Sequence, residues 1–138
     1  MVVLVTGAGG QLGQAIQHIA GQHPEITFVF CTSSELDITN KDNCERIFEQ
    51  YQPEYCINTA AYTAVDKAES EPEKAQAINV VGAQHIATVC KKHSTVLLHI
   101  STDFVFDGNH DQPYTETDIP NPTGIYGQTK LDGEITVQ

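Results

Sequence analysis

Tyr126 and Lys130 stand four residues apart in Tyr126-Gly127-Gln128-Thr129-Lys130, so on a helix they share one face. A tyrosine hydroxyl can give its proton to an oxygen that gains charge as a hydride reaches the adjoining carbon. Free tyrosine titrates at about 10, and a fixed ammonium nearby stabilises the phenolate and draws that value toward working pH. The same lysine can hold a nicotinamide ribose. A hydroxyl from Thr102 or Ser101, at the end of an apolar run, would complete the grip on the carbonyl oxygen. This is the set a carbonyl reductase needs. Tyrosine and lysine at this spacing also occur by chance on many solvated helices, so the pair gains meaning only from its surroundings.

What must position the pair begins at the other end of the chain. Val2-Val3-Leu4-Val5 is a short continuous apolar run, as in a strand buried on both faces. Thr6-Gly7-Ala8-Gly9-Gly10-Gln11-Leu12-Gly13 follows, and Leu12, Ala15, Ile16, Ile19 and Ala20 then recur at helical spacing as far as about Gly21. Strand, glycine-rich turn and helix together make a site for a pyrophosphate at a helix N-terminus. Gly7 and Gly9 are expected to take positive φ and to let phosphate approach; Gly13 is expected to let the helix pack closely on the strand. A strict G-x-G-x-x-G from Gly7 would need glycine at position 12, which is Leu12. The pattern present is T-G-x-x-G-x-x-G, with Gly7, Gly10 and Gly13, and it resembles the short-chain dehydrogenase/reductase superfamily. A plain strand-to-helix turn is the alternative.

Residues 26–31 read as a second buried strand. An acidic residue at the end of this strand selects NAD, and a nearby arginine accommodates the extra phosphate of NADP. Here Thr32-Ser33-Ser34 is neutral and Glu35 and Asp37 come late, so NADPH and NADH both stay open. Asp37-Ile38 fits an adenine-edge contact, the carboxylate accepting from the exocyclic amine; a loop carboxylate beside a capping Thr39 or Asn40 is the other reading. A helix over 42–51 with Ile47 and Phe48 facing in leads to a third strand, Tyr55-Cys56-Ile57-Asn58. The small residues after it suit backbone approaching a ligand at a strand's carboxyl end. A single helix is expected over 72–92, its stripe Ile78, Gly82, Ile86, Val89 and Cys90 facing the sheet. Asn79 beside that stripe needs partners if buried, and is expected to brace a neighbouring loop. Residues 96–100 read as a fourth buried strand, and a loop over 109–122 precedes the helix of Tyr126.

With 138 residues, 40% of them hydrophobic, the chain has one domain's length and can bury a core. A net charge of −11, with Arg46 as the sole arginine, argues against nucleic acid or an anionic membrane surface as partner. Cys31, Cys44, Cys56 and Cys90 form no C-x-x-C and read as buried free thiols. The histidines show no H-x-x-x-H spacing, so no metal ligand is assigned within these residues, and metal dependence stays open. No apolar run approaches a membrane span, and a cytoplasmic location is the expectation.

Four stretches then occur in order: Asn58-Thr59-Ala60-Ala61-Tyr62-Thr63-Ala64-Val65-Asp66-Lys67-Ala68-Glu69; Ser101-Thr102-Asp103-Phe104-Val105-Phe106-Asp107-Gly108; Pro113-Tyr114-Thr115-Glu116; and Tyr126 through Glu134. Together they resemble the dTDP-4-dehydrorhamnose reductases, over the whole chain. The resemblance implies an α/β fold, a Rossmann-type doubly wound parallel sheet in three layers, truncated before the last strands. Residues 1–138 would be an NAD(P)-binding domain whose C-terminal substrate domain is absent, keeping the cofactor fold but turning over sugar nucleotide poorly or not at all. The implied reaction is reduction of the 4-keto group of dTDP-4-dehydro-6-deoxy-L-mannose to dTDP-L-rhamnose with NADPH or NADH. By the resemblance Thr102, Tyr126 and Lys130 are catalytic. Gly7, Gly10, Gln11, Leu12, Asp37, Ile38, Ala60, Ala61, Tyr62 and Lys130 meet the cofactor, and Asp103 and Phe104 face the dTDP-sugar. Phe104 departs from the tyrosine expected there and removes a hydroxyl. Sugar-nucleotide 4,6-dehydratases are similar but carry Thr-Asp-Glu after this strand; with Phe104 in the third place the dehydrating base is missing. The regulatory beta subunit of methionine adenosyltransferase is also similar, and makes a non-catalytic NADP-binding module the alternative. A homodimer of the full-length protein is compatible with either.

Overall fold

Apolar and β-branched residues make β1 (Val2–Thr6), and Val3, Leu4, Val5 and Thr6 are all buried. The computed structural model describes residues 1–109 and 111–138; the expected loop over 109–122 thus includes His110, which lies outside the described residues. Three further strands, β2 (Thr27–Cys31), β3 (Tyr55–Asn58) and β4 (Val96–His99), join β1 in the order β2-β1-β3-β4. Every pairing is parallel, with Val3 opposite Phe28 and Tyr55, and Tyr55 opposite Val96. The chain runs outward from β1 to β2, then returns past β1 to β3. That reversal opens a crevice at the carboxyl ends of the strands, where open α/β sheets bind ligands.

Parallel neighbours need crossovers, and right-handed crossovers in opposite directions place helices on opposite faces. α1 (Gln11–Ala20) therefore lies on one face; α2 (Lys41–Tyr51) and α5 (Ala83–His93) pack together on the other. The core sits under the second pair: Leu4, Cys31 and Cys56 from the sheet meet Ile47, Phe48, Ile86, Val89 and Cys90. All four cysteines are free and buried, and burial pushes the Cys44 thiol up to about 12. Asn40 caps α2, its side chain accepting from the Asn43 N–H at 3.0 Å.

Three expectations need correction. The fourth strand is not buried on both faces: Val96 is 51% and Leu98 53% exposed, because β4 is an edge strand and no described helix covers its α1-side face. β2, the other edge strand, was likewise expected to be buried, yet Cys31 is its one buried residue; α1 beside it leaves Leu12 and Ile19 exposed and buries Gly13 alone. The helix expected over 72–92 is broken. It comprises α4 (Pro72–Gln76), a π-helical stretch (Ala77–Gly82) and α5, and a short α3 (Val65–Ala68) precedes it. The wide turn carries Asn79, whose Oδ1 accepts from the Tyr62 N–H at 2.8 Å and whose Nδ2 donates to the Tyr62 carbonyl at 3.2 Å. Asn79 does brace the loop after β3, as expected. It also donates to Thr129 Oγ1 at 3.1 Å on α6 (Ile125–Val137), the last helix.

Candidate functional site

The glycine-rich turn is shaped by close backbone approach. Gly7 has φ +62°, and a Cβ there would lie 2.7 Å from the Ala60 nitrogen. Gly7 alone in the turn takes positive φ; Gly9 does not, contrary to expectation. A Cβ on Gly13 would meet Ala8 Cα at 2.6 Å, so α1 packs on the turn itself rather than on the strand. Gln14 Nε2 donates to the Gly9 carbonyl at 2.7 Å and Gln17 Nε2 to the Ala8 carbonyl at 2.8 Å, fastening the turn to α1. Gly10 is the N-cap of α1 and offers no side chain to its first N–H groups. Those donors and the positive end of the helix dipole suit a phosphate.

Polar bonds tie the strand ends together below the turn. Thr6 Oγ1 donates to Asn58 Oδ1 at 2.6 Å, and Thr59 Oγ1 donates to the Thr6 carbonyl at 2.6 Å. Asn58 Nδ2 lies 3.0 Å from His99 Nδ1. Burial, with a smaller contribution from the Lys130 charge, lowers the His99 pKa to about 4, so the ring is neutral and its Nδ1 can accept.

Above these ends lies a cleft of about 1070 Å³. Gly7, Gly9, Gly10, Gln11 and Leu12 form one wall; Thr32, Ser33, Asp37, Ile38 and Thr39 follow from the β2–α2 connection. Thr59, Ala60 and Ala61 line the middle, and Ser101, Tyr126 and Lys130 the far end. Tyr126 is 9% exposed and Lys130 3%. Lys130 Nζ donates to the Ile100 carbonyl at 2.6 Å; burial lowers its pKa, and the charge of Glu134 works against that shift. α6 reaches this position because Gly127 has no side chain: a Cβ there would overlap the Phe104 carbonyl oxygen and lie 3.0 Å from its carbon. The Phe104 ring then meets Tyr126 edge-on, centroids 5.5 Å apart. A glycine cradle at a helix N-terminus, joined by an apolar floor to a tyrosine and lysine, fits a dinucleotide with its reactive ring at the far end. Among the described residues no cluster of three or more His, Cys, Asp or Glu could hold a metal, and no helix is long and apolar enough to cross a membrane.

The family model described as RmlD substrate binding domain matches residues 1–138. The chain belongs to that family. Within curated proteins it is 44% identical over 132 residues to the dTDP-4-dehydrorhamnose reductase of Aggregatibacter actinomycetemcomitans, covering 96% of this chain and 45% of that protein. It is 41% identical over 140 residues to the Escherichia coli K12 enzyme of the same name, covering 100% of this chain and 47% of that one. The chain thus spans about half the length of the curated relatives it matches. A solved dTDP-4-dehydrorhamnose reductase from Clostridium acetobutylicum superposes with a TM-score of 0.94 at 40% identity, over 99% of this chain and 49% of that one. Another, from Bacillus anthracis and in complex with NADP, gives 0.94 at 38% identity, over 99% and 48%. The fold is the Rossmann-type α/β arrangement of this RmlD family.

Of the expected site residues, Gly7, Gly10, Gln11, Leu12, Asp37, Ile38, Ala60, Ala61, Tyr126 and Lys130 all line the cleft. Tyr62 does not. Its ring packs with Ala68, Ala75 and Tyr126, and its hydroxyl donates to Glu71 at 2.9 Å. Thr102, Asp103 and Phe104 continue past Ser101, outside the cleft wall. The Thr102 Oγ1 accepts from the Phe104 N–H at 3.2 Å, capping a short 3₁₀ turn (Asp103–Val105). Asp37 holds Thr39 through both its N–H and its hydroxyl, at 2.9 and 2.7 Å, while lining the cleft, so both sequence readings of it coexist. Sequence reasoning missed Glu134, to which the Ser101 hydroxyl donates. The available signal was its place four residues after Lys130.

Proposed function

We propose that the protein containing this chain is an NAD(P)H-dependent reductase that converts the 4-keto group of dTDP-4-dehydro-6-deoxy-L-mannose to the alcohol of dTDP-L-rhamnose. The observation that carries the reading is Tyr126 and Lys130 side by side at one end of a cleft whose other end is the Gly7–Gly10 turn. Family membership and the names of its relatives point the same way. Reduced nicotinamide supplies the hydride, which becomes the new C–H bond at C4.

Every other task falls to the chain. Tyr126 gives its hydroxyl proton to O4 as charge builds there, yielding the alcohol and a phenolate. Lys130 stabilises that phenolate and holds the nicotinamide ribose. Thr102 binds O4, and Asp103 and Phe104 face the sugar. Gly7, Gly10, Gln11 and Leu12 cradle the pyrophosphate, Asp37 and Ile38 the adenine, and Ala60, Ala61 and the Tyr62 segment the middle of the cofactor. Residues 1–138 supply the cofactor-binding part of this machinery.

Deuterium transfer tests the reading. The full-length protein is incubated with the keto sugar nucleotide and NADPH or NADH carrying deuterium at nicotinamide C4. Deuterium at C4 of the dTDP-rhamnose product is the expected result. Cofactor binding without any label transfer would overturn it.

A further inference from the structure

Lys130 poses an electrostatic problem that its known partner does not solve. The side chain is buried, and its Nζ donates to the Ile100 carbonyl at 2.6 Å. A carbonyl oxygen satisfies a hydrogen bond but carries no formal charge, and a buried ammonium left without an anion tends to neutralise. Among the described residues no carboxylate lies within ion-pair distance of it. Its titratable neighbours are few. His99 faces it from β4 and is held neutral, Tyr126 lies one turn back on α6, and Glu134 lies one turn on. The π-helical stretch packed against α6 contributes Asn79, which is uncharged.

Glu134 is therefore the one negative charge acting on Lys130 among the described groups, and it opposes the effect of burial. At i+4 it shares the face of Tyr126 and Lys130. It is also held in place: the Ser101 hydroxyl, on the cleft wall at the end of β4, donates to Glu134 Oε1.

We propose that Glu134 is a positioning residue of this site: fixed by Ser101, its carboxylate is the counter-charge that keeps Lys130 an ammonium beside Tyr126. The inference rests on the reductase reading given above.

The test is Glu134→Gln in the full-length protein. Glutamine keeps the size and an acceptor for Ser101 but removes the charge. The pH profile of kcat/KM is measured with NADPH and the keto sugar nucleotide, beside the pH dependence of NADPH affinity. Activity that needs a protonated lysine falls on the alkaline side as that lysine deprotonates. Removing the counter-charge lowers the pH of that fall, by about one unit. Ser101→Ala, which frees the carboxylate to swing away, shifts the limb in the same direction by less, and Glu134→Asp restores part of it. An alkaline limb unmoved in Glu134→Gln overturns the proposal, whether or not the rate drops, because a purely structural role lowers the rate at every pH alike. If the wild type binds NADPH but never turns over, the reductase reading fails. The NADPH-affinity profile then still decides the role of Glu134.

Discussion

Replacing Gly127 by alanine puts one methyl group where α6 meets the turn that carries Phe104. The added Cβ would overlap the Phe104 carbonyl oxygen, lie 3.0 Å from the Phe104 carbonyl carbon and 3.1 Å from Pro122 Cβ. Two of these neighbours are backbone atoms and cannot rotate away. Restoring ordinary van der Waals separation requires α6 or the turn to shift by about 1 Å. Two stability terms then oppose each other. Alanine in place of glycine inside a helix gains about 1 kcal/mol, and overpacking costs about 1–3 kcal/mol. The net loss is roughly 0–2 kcal/mol. Turnover suffers more, because Tyr126 is the adjacent residue and Lys130 lies less than one turn further along the same helix. A misplacement of about 1 Å at the reacting groups costs on the order of 100-fold. Urea denaturation and steady-state kinetics on the full-length protein separate the two effects. Gly21→Ala is the control: its φ is −65° and nothing lies within 4 Å of the added Cβ, so about 0.4–1 kcal/mol of stabilisation is expected. Gly127→Ala with wild-type stability, kcat and KM would refute the claim that this close approach positions Tyr126.

Asn79→Ala strips three hydrogen bonds from buried groups and leaves the Tyr62 N–H without its acceptor. A loss of about 2–4 kcal/mol in urea denaturation is expected, and a loss below about 1 kcal/mol would contradict the bracing role. His99 has its pKa lowered from 6.5 to about 4, so the folded state binds fewer protons than the unfolded state in that interval. Stability should therefore fall by about 1–3 kcal/mol, discounted for partial exposure, as pH drops from 6.5 toward 4. His99→Gln should flatten that slope, and an unchanged slope would count against it. Glu35 accepts from the Thr32 N–H and hydroxyl, each at 2.8 Å; these bonds hold its pKa below the usual carboxylate value. This fixes an anion beside Thr32 and Ser33 on the cleft wall. Glu35→Gln should raise NADPH affinity relative to NADH by about 5- to 10-fold at low salt, shrinking as salt is added. A constant NADPH/NADH ratio would dismiss the charge as a selector.

Much of the fold was legible because its signals are local. β1 reads from an unbroken apolar run, Gly7-Gly10-Gly13 from glycine spacing, and α2 from its inward Ile47 and Phe48. What was misread depends on partners far along the chain. The exposure of Val96 and Leu98 follows from which strand lies at the sheet's edge, which no local pattern encodes. The π-helical stretch at Ala77–Gly82 follows from the bonds Asn79 makes to Tyr62 and Thr129, 17 and 50 residues away. At the site, the shared face of Tyr126 and Lys130 needed only helical periodicity. The burial of Tyr62 away from the cleft needed Glu71 and a small apolar cluster that assemble in three dimensions. Glu134 was within reach, since the spacing that paired Tyr126 with Lys130 repeats once more.

The most direct test of the central claim compares wild-type and Tyr126→Phe full-length protein, following NADPH and NADH oxidation with dTDP-4-dehydrorhamnose. Phenylalanine keeps the ring that packs against Phe104 and removes only the hydroxyl proposed to give the proton. Cofactor consumption by the wild type is expected, with a collapse of roughly 100-fold or more in the variant and cofactor affinity retained. Tight cofactor binding with no consumption by the wild type, or equal rates for the two proteins, would contradict that claim.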